Sequence, residues 1–177
     1  SDISNILKGS IDLHLHASPD TQERRMDALD AARSAYEHEM GGFVLKSSTY
    51  PTAPLAYVLT RMYPNLRVEG SISLTNSVGG INPDAVRSSA ELGAKIVWIS
   101  DCHQNKIPAS SEKPSHHPEI IDDRGQLTHN TLEVIDVIEA QKLTLGIGKI
   151  PSDTLFLLIK TASLKGVSKI IVTYDYK

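Results

Sequence analysis

Six short runs rich in Ile, Val and Leu recur along this chain, beginning near Ser10, Gly42, Arg67, Lys95, Leu143 and Lys169. Amphipathic stretches separate most of them, and most spacings are close to the ~30 residues of one βαβ unit. That rhythm constrains the fold more than any other feature, because alternating βα units commit a chain to a parallel sheet with helices packed outside it. Leu55, Val58, Leu59 and Met62 fall at i, i+3, i+4 and i+7, as do Leu155, Leu158, Ile159 and Ala162, so each set is expected to line one buried helical face. Asn82-Pro83 reads as an N-cap with proline at the first helical position, and Gly93 as the glycine that ends that helix. Gly41-Gly42 and Gly166 are expected to end two more helices in the same way. The fold class expected is α/β, either an open doubly wound sheet or a (β/α) barrel-like parallel sheet left incomplete at about six βα units. In both, the functional edge lies at the carboxyl ends of the strands.

The chain has 177 residues, the size of one domain spanning 1–177, and is 40% hydrophobic and 22% charged, a composition that can build a core. No apolar run approaches the ~20 residues of a membrane span, so no membrane partner is expected. A net charge of −3 argues against nucleic acid as a partner. The single cysteine, Cys102, rules out an internal disulfide framework and suits a reducing compartment. The opening Ser-Asp-Ile-Ser has neither a basic nor an apolar leader region. Together these lead to the expectation of a cytoplasmic location. The longest interruption, 101–126, is polar and carries Pro108, Pro114 and Pro118; a loop of that length in a compact domain is usually functional or disordered.

Polar residues follow nearly every apolar run: His14 and His16, Lys46-Ser47-Ser48, Thr75-Asn76, Ser100-Asp101, Lys149, and Thr173-Tyr174. The most informative segment is Ile11-Asp12-Leu13-His14-Leu15-His16. Strand side chains alternate between faces, so His14 and His16 are expected on one face and Leu13 and Leu15 on the other. Two imidazoles one pleat apart can converge on one divalent metal ion, with Zn, Mn and Fe as candidates. Asp12 shares their parity one pleat deeper and is placed to orient a ligating imidazole. Catalytic zinc usually takes three protein ligands. Further candidates are Lys46, Asp101, His103, His116, His117 and His129. Lys46, at the end of a buried strand, could hold a substrate carboxylate or bridge metals after carbamylation. His103, His116 and His117 lie on the long loop, His129 at a helix start, and His38 among surface charges. Val78-Gly79-Gly80-Ile81-Asn82-Pro83 lacks the glycine spacing of nucleotide loops and reads as a plain turn. Cys102 reads as a bystander beside His103.

The run Asp12-Leu13-His14-Leu15-His16-Ala17-Ser18-Pro19-Asp20 resembles the opening strand of amidohydrolase-superfamily enzymes, in their uncharacterised, metal-dependent-hydrolase-like branches. The likeness continues through Val44-Leu45-Lys46-Ser47, Val78 to Pro83, Ala94 to Trp98, and Ile170 to Thr173. The resemblance implies a (β/α) barrel with one or two divalent metals above the strand ends. It also implies hydrolysis of a small amide, cyclic amide, ester or related C–N substrate by metal-activated water. In that picture His14 and His16 match the first-strand ligands and Lys46 matches the lysine after the second recognisable strand; Asp101, from its place at a strand end, is the candidate base for activating water. The chain departs from the pattern where histidine would be expected at Lys149 and Tyr174, and no aspartate matches that of an eighth strand. Two readings follow. One is a metal-dependent hydrolase with His103, His116 or His117 completing the ligand set; the other is a degenerate, non-catalytic homologue that binds a small anion or partner through Lys46 and Lys149. An open barrel exposes two strand edges, so a homo-oligomer is expected.

Overall fold

The computed structural model describes residues 2–100 and 120–173. Six parallel strands stand in sequential order, β1 (Ile11–Leu15), β2 (Gly42–Leu45), β3 (Arg67–Ser73), β4 (Ala94–Ile99), β5 (Thr144–Ile147) and β6 (Ile170–Val172). Helices alternate with them: α1 (Asp2–Leu7), α2 (Ala28–Glu37), α3 (Ala53–Met62), α4 (Pro83–Glu91), α5 (His129–Ala140) and α6 (Ser152–Leu164). The sheet curls into a half-barrel, an incomplete (β/α) barrel. Each strand starts within one residue of its apolar run, since buried β-branched residues leave little choice of boundary.

The outer face of the sheet carries the main core. Val97, Ile99, Leu145 and Ile147 pack with Val134, Ile135 and Ile138 of α5 and with Leu155, Leu158 and Ala162 of α6. Phe43, Leu45 and Val68 pack with the alanines of α2 and with Ala56 and Leu59 of α3. Each large side chain removed from water in this way contributes about 1.5–3 kcal/mol. The α4 boundaries are those expected: the Asn82 side chain accepts the Asp84 and Ala85 N–H groups, and Gly93 closes the helix at φ 100°. Gly166 does the same after α6 at φ 95°. After α2, however, the left-handed residue is Glu39, at φ 53°, so Gly41-Gly42 leads into β2 rather than ending the helix.

The buried face of α3 differs from expectation. Ala53, Ala56 and Leu59 are buried, whereas Val58 and Met62 are about half exposed. The reason is Gly70 on β3: a side chain there would run into the backbone of Ala53. A glycine facing alanines lets helix and strand approach closely, and that contact turns the larger side chains outward. The α6 set behaves as expected, with Leu155, Leu158 and Ala162 buried and Ile159 packed at the margin.

Beyond residue 119 the chain returns through a tight turn in which Ile121 bridges Leu127 and the Asp122 carboxylate accepts the Arg124 and Gln126 N–H groups. The Thr131 hydroxyl ties this turn to the start of α5 by donating to the carbonyl of Ile120 at 2.9 Å. No helix among the described residues is long and apolar enough to cross a membrane.

Candidate functional site

The first strand is not regular. Ile11 pairs with Gly42 and Asp12 with Phe43, but Leu15 pairs with Leu45, so β1 holds one extra residue between them. A bulge of this kind turns two consecutive side chains to one face. Leu13 therefore lines the concave inner face with Ile11 and Val44, while Leu15 packs on the outer face with the α2 and α3 cluster. The expectation that the two leucines share a face is corrected by this slip in register. His14 and His16 do share the inner face. Asp12 falls on the other side of the bulge, pairs opposite the outward Phe43, and uses its carboxylate to accept the His14 backbone N–H at 2.9 Å. It shapes the bulge by bonding the backbone of His14 rather than an imidazole.

The two imidazoles meet. Their Nε2 atoms lie 3.2 Å apart, with ring centroids at 5.1 Å. Lys46 Nζ stands 3.2 Å from His14 Nε2 and 4.3 Å from the centroid of Trp98, over the indole face. The Trp98 ring also lies against His14, centroid to centroid at 5.1 Å. Lys46 is 8% exposed and Trp98 1%, so ammonium, indole and imidazoles share a sheltered mouth at the carboxyl ends of β1, β2 and β4. The Lys46 N–H donates to the carbonyl of Leu15 at 2.8 Å, extending the sheet ladder past β2 and fixing the lysine beside the histidines. Just beyond, the buried Thr52 hydroxyl donates to the carbonyl of Leu45 at 2.6 Å, and Ser71 Oγ donates to the same oxygen at 2.8 Å.

The segment after β1 forms the next wall. The loop closes on itself, with the Ser18 N–H donating to the Met26 carbonyl and the Ala28 N–H to the Ser18 carbonyl. Within it, Arg24 Nε donates to Asp20 Oδ2 at 2.8 Å, while Nη2 sits 2.6 Å from the same oxygen at an angle too bent for a second hydrogen bond. The Asp20 side chain is 1% exposed. Burial alone would raise its pKa, but the Arg24 hydrogen bond, the Gln22 N–H and the charge of Arg24 hold it below the usual carboxylate value. Burial of Tyr50, and then the negative charge of Asp20, raise the phenol's pKa. For His16, burial comes first, then the positive charge of Arg24 and Lys46 and the neighbouring His14; together they lower its pKa to about 4 against the pull of Asp20. His16 is therefore a neutral imidazole at physiological pH, the form that binds metal.

Four buried polar atoms have no hydrogen-bond partner among the described residues: His16 Nδ1, Arg24 Nη2, Ser73 Oγ and Trp98 Nε1. All belong to residues around this mouth. An unmet buried group costs about 1–3 kcal/mol; of the four, Arg24 Nη2 keeps its ion pair with Asp20.

Gly146 on β5 explains the pose of Trp98. A methyl group at Gly146 would collide with Cε3, Cζ3 and Cδ2 of the indole, so the six-membered ring packs against bare backbone. On the amino-terminal side of Trp98 the inner face changes character. Val44, Ile96 and Trp98 form a small apolar cluster with Ile171 at its margin, and below them opens a groove of about 520 Å³. Its floor includes Ile11, Leu13 and Ile170, and its rim carries Arg67, Lys95, Lys142 and Lys169 with Glu69.

Of the residues singled out from sequence, the structure brings together His14, His16 and Lys46. Lys149 is exposed, His38 and His129 are surface groups beside helix ends, and the Gly79-Gly80 turn precedes a helix already capped by Asn82. Asp101, Cys102, His103, His116, His117 and Tyr174 lie outside the described residues. Among the described residues there is no group of three or more His, Cys, Asp or Glu side chains placed to hold a metal ion. Trp98, Ser73, Gly146 and the Asp20–Arg24 pair were missed. For Trp98 the signal was present, since it shares parity with Ser100 just past the end of β4; for Gly146 there was none without the pairing register.

The sequence profile of DUF6282, a family of unknown function, matches residues 9–176. The chain belongs to that family. No curated protein matches it in sequence. Among solved structures it is similar to one described as "putative prolidase from Bifidobacterium longum", at 13% identity and a TM-score of 0.43. That alignment covers 92% of this chain and 39% of the other, so the chain spans well under half the length of that protein.

Proposed function

We propose that this DUF6282 chain is an amidohydrolase-like, metal-dependent hydrolase of a small amide, cyclic amide or related C–N or ester substrate. The observation that carries the reading is the 3.2 Å separation of the His14 and His16 Nε2 atoms at the carboxyl mouth of an incomplete barrel. Two imidazole nitrogens on a tetrahedral zinc at ~2.0–2.1 Å stand about 3.3–3.4 Å apart, so the pair fits a shared ion with little adjustment. The Asp-x-His-x-His run and its resemblance to amidohydrolase first strands support the same assignment. A divalent ion held there would supply activated water near neutral pH and polarise the scissile carbonyl.

The chain's own groups have definite parts in this reading. His16, neutral by burial and neighbouring charge, offers its lone pair without first losing a proton. Lys46 positions substrate or joins the ligand set, and the Asp20–Arg24 pair stiffens the wall behind His16. Asp101, two residues past β4, is the proposed base, and His103, His116 or His117 the proposed further ligands. The test is turnover of a panel of small amides, cyclic amides and esters by protein loaded with zinc, manganese or iron. The reading expects turnover that a chelator removes and His14→Ala abolishes; no turnover with any metal contradicts it.

A second reading rests on two observations. His16 Nδ1 lacks the hydrogen-bond acceptor that ligating histidines almost always have on their other ring nitrogen, and no third ligand stands among the described residues. Both fit a non-catalytic homologue in which the histidines bond each other and Lys46 attracts a small anion. Protein purified without stoichiometric metal, whose ligand binding survives His14→Ala, would favour it.

A further inference from the structure

The groove at the amino-terminal side of the half-barrel has a chemistry of its own. β4 is irregular where it enters the sheet: Ala94 pairs with Gly70 and Ile96 with Ser71, so Lys95 is an extra residue between them. Val97 and Ile99 pack in the outer core, and strict alternation would send Lys95 outward with them. The bulge instead turns Lys95 and Ile96 together onto the inner face, where both line the groove. On the neighbouring strand Ile96 pairs with Thr144, and the pairing of Leu145 with Ile170 sets Thr144 beside Lys169. Lys95, Thr144 and Lys169 thus stand side by side where three adjacent strands begin, and all three line the groove.

The carboxylates nearby are already engaged. Glu69 holds Arg67 at 3.1 Å, and Glu139 holds the Lys142 ammonium. Lys169 Nζ donates only to the Lys142 carbonyl, at 3.3 Å, and among the described residues neither Lys95 nor the Thr144 hydroxyl has a hydrogen-bond or ion-pair partner. From this cationic end the groove extends past Val44, Ile96 and Ile171 to Ile11 and Leu13 on β1, which are 50% and 47% exposed. Its volume of about 520 Å³ is that of a small-molecule site, apolar along its length with a few polar groups at one end. A second copy docked here about a two-fold axis would bring two cationic rims together. A flat bilayer does not follow a concave trough. The occupant that meets both halves is a slender apolar molecule with one anionic head.

We propose that this groove binds a single-chain aliphatic carboxylate of medium length, its head at Lys95, Thr144 and Lys169 and its tail along the aliphatic floor toward Leu13. The site lies on the opposite side of Trp98 from the histidine pair and needs neither the metal nor the hydrolase reading.

The test titrates decanoate, decan-1-ol and acetate, all below micellar concentrations, into the full chain in chelated and zinc-loaded forms. Calorimetry gives the affinity, and the fluorescence of Trp98, the sole tryptophan and a neighbour of Val44 and Ile96, reports the place. The expected result is one decanoate per chain with the same affinity in both forms. Decan-1-ol should bind roughly 10-fold more weakly, and acetate more than roughly 100-fold more weakly. Lys95→Gln combined with Lys169→Gln should weaken decanoate by about 10-fold and leave decan-1-ol unchanged. Leu13→Asn should weaken both long-chain probes by about 10-fold. The two lysines are exposed and Leu13 is half exposed, so these variants keep the fold, as an unchanged Tm would verify. Equal binding of acid and alcohol, decanoate binding that requires zinc, no decanoate binding, or no effect of the double lysine variant overturns the proposal. So does a dimer that Leu13→Asn dissolves and decanoate leaves intact, which would give the groove to a second copy.

Discussion

The inner face of the half-barrel is two surfaces in one. Below Trp98, Val44, Ile96, Ile11 and Leu13 form an apolar floor rimmed by charges that reach solvent. Above it, the same strands end in His14, His16, Lys46, Ser73 and the Asp20–Arg24 pair, groups that are partly or wholly buried and in several cases unmet. The lower half obeys the ordinary rule that apolar groups pack and charges stay wet. The upper half breaks it, and chains tolerate such breaks chiefly at functional sites. Substitutions below should therefore cost stability and spare binding at the mouth, and substitutions above should do the reverse, with two informative exceptions.

The largest effect belongs to the first exception. Asp20→Asn leaves the Arg24 guanidinium buried without its counter-charge, and breaking such a pair costs about 3–5 kcal/mol. A fall in Tm on the order of 10 °C is expected in a thermal melt. An unchanged Tm would mean that the wall behind His16 is not held by this pair. Next comes Ile96→Ala in the lower half, expected to cost about 2–5 kcal/mol in urea unfolding while zinc affinity stays as in the wild type. If zinc affinity fell with it, the two halves would not be separable.

The second exception is Gly146→Ala, which forces a methyl group into the indole that separates the halves. Overpacking of this kind costs about 1–3 kcal/mol. Because Trp98 also supports His14, the variant should lose stability and zinc affinity together, as measured by unfolding and calorimetry. The smallest effect is on pH dependence. His16 has a folded pKa near 4, below its ordinary 6.5, so between those values the unfolded chain binds the extra proton. Its contribution to stability is present above about pH 6.5 and is lost as the pH falls toward 4. Urea midpoints should drop across that window and drop less in His16→Gln; parallel curves would show that His16 titrates normally.

How much of this the sequence disclosed depended on whether a feature was local. Strand starts were legible because continuous Ile and Val runs admit few alternatives, and the α4 cap because Asn82 and Pro83 act on their own helix. Convergence of His14 and His16 was legible through period-2 parity even though β1 is bulged, because the extra residue lies before His14. For Asp12 and Leu13 the parity failed for the same reason. The buried face of α3 was misread because Gly70, a residue from another element, decides it. Trp98 as a floor depends on Gly146 lying beside it, and only the β4–β5 pairing shows that Trp98 and Gly146 are neighbours.

The central claim is that His14 and His16 grip one divalent cation. Calorimetric titration of zinc into chelator-treated protein, with cobalt(II) quenching of Trp98 fluorescence as the local readout, addresses it directly. The account predicts one saturable site, with quenching that tracks occupancy and an affinity lowered by more than about 100-fold in His14→Ala and in His16→Ala. Binding that survives both substitutions unchanged, or no stoichiometric binding at all, would contradict it.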